Sequence, residues 1–390
     1  MDEILKILLL EDSDSDADLL IRFLRKHEIN LSFTRVSTKA DFINALNNSN
    51  YDIIIADHSL PQFTGMEAFR IIKNENRKIP FILVTGTLSE NTLTEYAKEG
   101  IDDYILKDNL LRLPSAIEHV ISKKKIEYLH EKLEKAYQDI KDSLNYAKTI
   151  QNAMLPDATM ISKYFPKSFI LFKPKDMLSG DFYWFKEEVN SFFIAAADCT
   201  GHGVPGALLS MIGIEKLNKI VQEIKEPSKI LDQLNKSITF ALSQTSHRGY
   251  SRDGMDIAFC SLNKSNRTLK FAGGNRPLWI IRKDQQEILE IRGTMKAIGG
   301  ITSSIFSCFE NNELELNKGD TFYIFSDGFA DLFGGGNNKK LTTRRFKQLL
   351  LSMQNKTMNQ QEKALTIFMN DWKLDLEQTD DILVIGIRVD

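Results

Sequence analysis

Short apolar runs alternate with amphipathic segments over residues 1–122. Five of these runs have the length and composition of strands: ILLL (7–10), LSFTRV (31–36), DIIIAD (52–57), FILVT (81–85) and DYIL (103–106). The segments between them, such as DLLIRFLRKH and GMEAFRIIKNE, space their apolar residues as helices that face a core do. Strands that alternate with helices predict an α/β doubly wound domain, in which helices cover both faces of a five-stranded parallel sheet.

Residues 123–156 have mixed charge and no glycine, and their apolar positions follow a seven-residue repeat. Two offset series carry this repeat: Ile126, Leu133, Ile140, Ala147 and Met154, and Leu129, Ala136, Ser143 and Ile150. A heptad pattern of this length predicts a helical coiled-coil linker, and therefore a homodimer joined through it. The alternative is a single amphipathic helix that lies on a domain, because Ser143 and the alanines weaken the seam.

Strand patterns dominate residues 157–390. The clearest are SFILFK, FFIAAAD, DIAFCSL, TLKFAG, PLWIIRKDQQEILEI, TFYIFSD and ILVIGIRV. Helical patterns near residues 205–222, 226–244, 343–354 and 359–374 interrupt them. We predict an α+β domain in which two antiparallel sheets pack together and helices flank them. The chain is thus expected to have three parts, at residues 1–122, 123–156 and 157–390.

Composition narrows the class of protein. The chain has 390 residues, 42% of them hydrophobic and 26% charged, with a formal net charge of −3. Such a chain lacks the basic surface that nucleic acids require, so we expect no nucleic-acid partner. No apolar stretch has the ~18 residues of a membrane span, and we expect no membrane partner. The three cysteines are widely spaced without a CxxC pair, which predicts reduced thiols and a cytoplasmic protein.

Polar residues with chemical use follow the strands predicted in the first domain. They are Glu11 and Asp12 after the first strand, Asp57 after the third, Thr85 after the fourth and Lys107 after the fifth. Because the carboxyl ends of parallel strands meet at one edge of a sheet, we expect these side chains to lie together. Clustered carboxylates repel one another unless a hard cation such as Mg²⁺ binds among them, and a carboxylate can carry a phosphoryl group. The pattern predicts a Mg²⁺ site with Asp57 as the phosphoryl acceptor.

Residues 1–122 resemble the receiver domain of bacterial response regulators. The resemblance rests on the Glu11-Asp12 pair, on DHSLPQFTG around Asp57, on Thr85-Gly86 and on Tyr104-Ile-Leu-Lys107. It implies that Asp57 takes a phosphoryl group from a histidine kinase or another phosphotransfer donor. It also implies that Glu11, Asp12 and Asp57 hold Mg²⁺, and that Thr85, Tyr104 and Lys107 form the switch.

Aspartates recur at strand margins in the last region, often beside glycine. Asp181 lies in LSGDFYW, Asp198 in DCTGHGVPGA, Asp327 in YIFSDGFADL, and Asp380 and Asp381 in QTDDILVIGI. One aspartate beside glycine is ordinary turn chemistry. Several in one β-rich domain predict an acidic pocket that divalent cations neutralise, and two such ions can lower the pKa of a bridging water and bind phosphoryl oxygens.

Residues 150–390 resemble the SpoIIE-like branch of metal-dependent protein serine/threonine phosphatases. The motifs are YAKTIQNAMLP, KPKDMLSGDFYWF, AADCTGHGVPGALLSMIG, RDGMDIAF, AGGNRPL, FSDGFADLFGG and TDDILVIGI, in this order. The resemblance implies two Mn²⁺ or Mg²⁺ ions and direct attack of water on a phosphoserine or phosphothreonine. It implies that the metal ligands are Asp181, Asp198, the Cys199 backbone carbonyl, Asp327 and Asp380, with Asp381 as the alternate at the last position.

Two assignments in this region stay open. His202 is either a proton donor, as a histidine near this aspartate is in the wider phosphatase family, or a structural residue of the turn before the next helix. Asp253 and Asp256 in RDGMD either join a further metal site or hold a loop, and we favour the loop.

The leading hypothesis is a two-component response regulator whose output is metal-dependent dephosphorylation, controlled by phosphorylation of Asp57. The resemblance suggests a phosphorylated STAS-type anti-sigma-factor antagonist as the substrate. The rival hypothesis is a non-catalytic signalling adaptor that uses a phosphatase-shaped domain to bind partners.

Overall fold

The structure, a computed structural model, describes residues 4–86, 98–242, 253–300, 308–336 and 338–390. The chain divides into two compact units, residues 1–139 and 140–390. One helix, Leu113–Met154, runs across the boundary between them. The finer division at residues 122 and 156 stays a prediction.

The first unit is built on a parallel sheet. Its strands are Leu5–Leu10 (β1), Leu31–Val36 (β2), Ile53–Asp57 (β3), Phe81–Thr85 (β4) and Asp103–Leu106 (β5). Their order in the sheet is β2-β1-β3-β4-β5. The helices described between them are Asp14–Lys26 (α1), Lys39–Asn48 (α2) and Gly65–Asn74 (α3), and a 3-10 helix, Lys107–Arg112, follows β5. Residues of β3 pack alternately into two separate apolar cores, one on each face of the sheet, which confirms the doubly wound α/β fold.

The long helix Leu113–Met154 (α4) changes its surroundings along its length. Its first turns are apolar and pack into the core of the first unit through Leu113, Ile117 and Val120. The heptad residues that follow, by contrast, have most of their surface exposed; among them are Ile126, Leu133 and Ile140. A helix lying on a domain would bury this seam, so the exposure argues against that alternative, and the coiled coil stays a prediction.

The second unit contains two antiparallel sheets. The strands of the first sheet are Phe182–Glu187 (β7), Ser191–Cys199 (β8), Gly254–Asn263 (β9), Thr268–Gly274 (β10), Ile298–Gly299 (β13) and Asn312–Glu315 (β14). Those of the second sheet are Ser168–Lys173 (β6), Leu278–Ile281 (β11), Leu289–Ile291 (β12), Thr321–Phe325 (β15) and Ile382–Arg388 (β18). The first sheet has the order β14-β10-β9-β8-β7, with β13 beside β9, and the second has the order β12-β11-β15-β18-β6. A short ribbon pairs Phe333–Gly334 (β16) with Lys339–Lys340 (β17).

Four of the helices described in this unit cover the outer faces of the sheets, and a fifth, Ala158–Tyr164 (α5), packs through Ile161 into the core between them. The four are Gly203–Glu223 (α6), Pro227–Ala241 (α7), Thr343–Ser352 (α8) and Met358–Lys373 (α9). Alternation along β7 shows the layering: Phe182 and Trp184 pack with α6 and α7, whereas Tyr183 and Phe185 pack against the second sheet. The predicted sandwich of two antiparallel sheets with flanking helices is confirmed. The sequence did not predict α5 or the short strands β13, β14, β16 and β17.

Candidate functional site

The acidic residues predicted in the first unit lie together at the carboxyl edge of its sheet. Glu11 and Asp12 follow β1 and Asp57 ends β3, and one oxygen of each lies within 4.8 Å of the others. Across the described ranges, no other three acidic, histidine or cysteine side chains bring ligand atoms this close. Three oxygen ligands at this spacing suit a hard divalent cation.

Lys107, directly after β5, contacts the same carboxylates. Its Nζ lies 2.7 Å from Asp57, 2.7 Å from Asp16 and 3.3 Å from Glu11. Burial opposes the charge of this ammonium, but its hydrogen bonds to Asp16 and Asp57 outweigh burial and raise the pKa of Lys107. Burial also raises the pKa of Glu11. The lysine therefore carries a positive charge among the acids, where an oxyanion on Asp57 would meet it.

The other predicted residues of this unit lie on neighbouring strands. Thr85 is buried at the end of β4, and Tyr104 is partly exposed on β5. The structure adds Asp16, the second partner of Lys107, and Arg35, whose guanidinium donates to the carbonyls of Glu11 and Asp12 at 3.1 and 3.3 Å. Arg35 pairs with Leu9 in the register of β1 and β2, so the strand order would have indicated it.

In the second unit, antiparallel pairing brings strand ends together two at a time. The register of β7 and β8 places Asp181, just before β7, beside Asp198 near the end of β8. The register of β15 and β18 brings Asp327, after β15, close to Asp380, before β18. Because the two sheets pack face to face, both pairs reach one edge of the sandwich.

A cavity of about 310 Å³ opens at this edge, lined by Asp198, Cys199, Asp256, Asp327 and Asp380 among others. Burial raises the pKa of Asp198 to about 8 against the opposing effect of a nearby arginine. Burial likewise raises the pKa of Asp380 and that of Asp256. Carboxylates that are this poorly solvated favour either protons or a cation as partners.

Asp181 lies next to this cavity and is almost fully buried. Burial first, and then the charge of Asp198, raise the pKa of Asp181. Its Oδ2 atom has no hydrogen-bond partner. A buried carboxylate oxygen without a partner is costly, and the oxygen donors gathered here are those that Mn²⁺ and Mg²⁺ prefer. The residues present therefore fit divalent cations.

Two glycines allow the loops of this edge to approach each other. A Cβ at Gly180 would overlap the carbonyl oxygen of Gly201, and a Cβ at Gly328 would overlap that of Asp381. The first contact holds Asp181 against the turn after Asp198. The second holds Asp327 against the start of β18.

The adjacent acids Asp380 and Asp381 have different surroundings. Both carboxylate oxygens of Asp381 accept backbone N–H groups, from Lys175 and Gly180, each at 2.7 Å. Asp380 lines the cavity, and its Oδ1 accepts the N–H of Asp381 at 2.8 Å. Asp381 thus fixes the loop that carries Asp181, whereas Asp380 faces the cavity.

Arg276 lies among the cavity acids, and sequence analysis missed it. Its Nη2 is 2.6 Å from Asp198 and 2.7 Å from Asp327, and lies 3.4 Å from Asp256. Asn275, with a positive φ of 58°, forms the turn that precedes it and donates to Asp256 at 2.8 Å. The available signal was the Gly-Gly-Asn turn of AGGNRPL, which ends β10 at this edge.

His202 lies at the rim of the cavity and not among its acids. Its Nδ1 is 2.6 Å from Asp176 and its Nε2 is 3.1 Å from the ammonium of Lys175. It occupies the N-cap of α6, yet its ring caps no backbone N–H. Cys199 lines the cavity beside Asp198, and burial raises the pKa of its thiol.

Comparisons with known proteins match both units. The family model of Stage II sporulation protein E (SpoIIE) matches residues 188–390, and that of the response regulator receiver domain matches residues 7–118. The solved SiaA-PP2C domain of Pseudomonas aeruginosa is 31% identical, with a TM-score of 0.59 over 65% of this chain and 99% of that domain. Both resemblances expected from the sequence are confirmed.

Two curated proteins are similar to one unit each. Phosphoserine phosphatase RsbU of Bacillus subtilis is 26% identical over 203 residues, which are 52% of this chain and 57% of RsbU. Transcription factor SKN7 of Candida albicans is 30% identical over 101 residues, which are 26% of this chain and 18% of SKN7. The chain thus spans less than two thirds of the length of either relative.

No helix in the described part of the chain combines the length and apolar character that crossing a membrane requires.

Proposed function

The chain belongs to the SpoIIE family and carries a response regulator receiver domain, and from this premise we propose that it is a phosphatase of phosphoserine or phosphothreonine proteins. The observation that carries the proposal is the convergence of Asp198, Asp327 and Asp380 on one cavity beside the unpartnered oxygen of Asp181. Four acids from both sheets would hold Mn²⁺ or Mg²⁺ there. We add the Cys199 carbonyl to this ligand set.

Divalent cations bound at these acids supply a water of lowered pKa and positive charge for the phosphoryl oxygens. The residues of the chain position the ligands of these cations and keep solvent away from them. Asp381 serves as a positioning residue, because its two backbone contacts fix the loop that carries Asp181. Burial of Asp181 and Asp198 keeps water from solvating their charge, which strengthens their attraction for a cation.

His202 acts at the rim as an organising residue in this proposal. A neutral ring can donate from Nδ1 to Asp176 and accept at Nε2 from the ammonium of Lys175. This arrangement suits a ring that has no proton to give at Nε2, so we favour the structural role over the proton donor. Lys175, held at the rim by this contact, offers a positive charge to an incoming phosphoryl group.

Control is proposed to begin at Asp57, phosphorylated by a histidine kinase or another phosphotransfer donor with Mg²⁺ held by Glu11, Asp12 and Asp57. Lys107, already in contact with Asp57, would balance the added charge. Thr85 and Tyr104 would form the switch.

Helix α4 offers a route for the signal to the second unit. It begins in the core of the first unit and ends near Gln151, which is buried. The Gln151 amide pairs with both backbone groups of Ser179, donating to its carbonyl at 2.6 Å and accepting its N–H at 3.2 Å. Ser179 is two residues before Asp181, so a shift of the helix end would move a proposed metal ligand.

The exposed heptad seam supports a homodimer formed through α4. Similarity to phosphoserine phosphatase RsbU supports a phosphoserine protein as the substrate, and we propose a STAS-type anti-sigma-factor antagonist. Lys175 and the cations of the cavity would bind the negatively charged phosphoryl group of this substrate.

The test is a phosphatase assay on the full chain with Mn²⁺ and a phosphoserine peptide. We expect Asp198→Asn to lose about a thousandfold in rate, since metal chemistry supplies several kcal/mol and ~1.4 kcal/mol corresponds to a factor of ten. The control, Asp371→Asn, changes an exposed residue of α9 and should retain wild-type activity. Wild-type activity in Asp198→Asn would contradict the assignment and favour the adaptor hypothesis.

The receiver half has its own assay. Acetyl phosphate is expected to label the wild-type chain and to leave Asp57→Asn unlabelled. Label that persists in this variant would remove Asp57 as the acceptor.

A further inference from the structure

The cationic side chain of Arg276 lies among the acids that line the cavity. The Nη2 atom of Arg276 is shared by Asp198, Asp327 and Asp256, at 2.6, 2.7 and 3.4 Å. These acids come from both sheets, since Asp198 and Asp256 belong to β8 and β9 and Asp327 follows β15. One nitrogen therefore satisfies carboxylates that would otherwise repel one another.

The backbone of Arg276 is fixed, and its side chain is largely buried. Its N–H donates to the carbonyl of Gly274 at 2.7 Å, and its own carbonyl packs so closely on Gly273 and Gly293 that neither site has room for a Cβ. The Nε of the guanidinium, by contrast, is buried and has no hydrogen-bond partner. Within the described part of the chain, the hydrogen bonds that hold the guanidinium in this position are those to the carboxylates of Asp198 and Asp327.

A divalent cation needs the same oxygens. Carboxylate oxygens bind Mg²⁺ or Ca²⁺ at roughly 2.0–2.6 Å, so a cation shared by two of them lies in the space between them, where the nitrogen of Arg276 now lies. The Oδ2 atoms of Asp198 and Asp327 are the ones that Arg276 contacts. A cation that bound both oxygens would therefore have to displace the guanidinium.

We propose that Arg276 is an internal counter-ion that competes with divalent cations for Asp198 and Asp327 and thereby sets the metal affinity of the site. This inference rests on the proposed function, because it takes these acids to be metal ligands. The apparent affinity of a site falls by the fraction of molecules in which it is open to the ligand. Arg276 thus lowers the affinity for Mn²⁺ and raises the concentration at which the enzyme is loaded.

The experiment measures Mn²⁺ binding directly, by electron paramagnetic resonance of the free ion, on full-length protein first treated with a chelator. All variants carry Asp12→Asn and Asp57→Asn, so that the receiver site contributes little. Arg276→Gln removes the charge from the cavity. The matched control is Arg282→Gln, which removes an arginine that pairs with Asp320 outside the cavity lining.

We expect Arg276→Gln to bind Mn²⁺ about tenfold more tightly than the parent, and Arg282→Gln to bind it with parental affinity. If the parent binds Mn²⁺ and Arg276→Gln binds it equally or more weakly, this inference is wrong and the proposed function stands. If the parent binds no Mn²⁺, both this inference and the proposed function are wrong.

Thermal unfolding provides a second readout. Without Arg276 the carboxylates repel one another, so the chelated variant should melt below the parent, whereas manganese should restore its midpoint. The increase in unfolding temperature caused by manganese is therefore expected to be larger in Arg276→Gln than in the parent. An equal or smaller rise overturns the inference, even where the variant is unfolded without metal.

Discussion

The two units gather acids at the edge of a sheet in different ways. In the parallel sheet, Glu11, Asp12 and Asp57 follow strands that all end at one edge, and their oxygens already lie within 4.8 Å of one another. In the antiparallel sandwich, each pair of strands brings one end and one start together, and Arg276 separates Asp198 from Asp327. A parallel sheet thus gathers its acids by topology alone, whereas the sandwich also needs close contact between loops.

The cation in each cluster differs accordingly. Lys107 lies beside a triad that is already close enough to share an ion, whereas the guanidinium of Arg276 lies between the acids themselves. We therefore expect Lys107 to accompany a bound cation and Arg276 to compete with one.

The largest expected effect tests the close contact that the sandwich needs. Gly328→Ala places a Cβ on the Asp381 carbonyl oxygen, a backbone atom that cannot move aside as a side chain can. This substitution should lower the free energy of unfolding by about 3 kcal/mol or more. Gly65→Ala in the receiver overlaps the Asp57 carbonyl and the flexible end of Leu83, and should cost about 1–3 kcal/mol. Urea unfolding measures both.

The control for these substitutions is Gly336→Ala, where a Cβ would meet nothing within 4 Å. Equal stability of Gly328→Ala and this control would show that the contact with Asp381 is not needed.

The next effect separates two adjacent acids of the sandwich. Asp381→Asn leaves one of two backbone N–H groups without an acceptor and should lower the free energy of unfolding by about 1–3 kcal/mol. Asp380→Asn keeps an oxygen for its single backbone contact, so its stability should stay near wild type while Mn²⁺ affinity falls. Urea unfolding and Mn²⁺ titration measure these two effects. A loss of stability in Asp380→Asn, with a loss of Mn²⁺ affinity in Asp381→Asn, would show that the two roles are exchanged.

The smallest effect compares the two cations. Lys107→Gln should change the Mg²⁺ affinity of the receiver by less than about threefold, because the acids of the triad already lie within 4.8 Å of one another and need no rearrangement before an ion binds. Calorimetric titration of Mg²⁺, with Asp198→Asn and Asp327→Asn silencing the second site, measures it. A tenfold gain would show that Lys107 competes as Arg276 does.

Much of both sites could be predicted from the sequence. The strands of the receiver were predicted nearly to their ends, and parallel topology then placed Glu11, Asp57 and Lys107 together. Asp380 and Asp381 lie just before β18, and only the structure shows that Asp381 accepts the backbone N–H groups of Lys175 and Gly180 whereas Asp380 faces the cavity. Sequence cannot supply that loop, because it is some two hundred positions away.

Arg276 and Asp16 illustrate the part that sequence could not predict. Arg276 reaches the acids by a long side chain from a turn whose direction depends on the positive φ of Asn275. Asp16 reaches Lys107 from the first turn of α1, whose position depends on the Ser13 cap. Both contacts arise from the direction of a side chain after the fold is complete.

The most direct test of the whole account is the position of manganese in crystals of the full-length chain grown with Mn²⁺, located by anomalous scattering. The account predicts manganese bound by Asp198, Asp327 and Asp380, with an ion at the Oδ2 of Asp181 and the guanidinium of Arg276 turned away. Carboxylates that still hold Arg276, with no manganese among them, would contradict it.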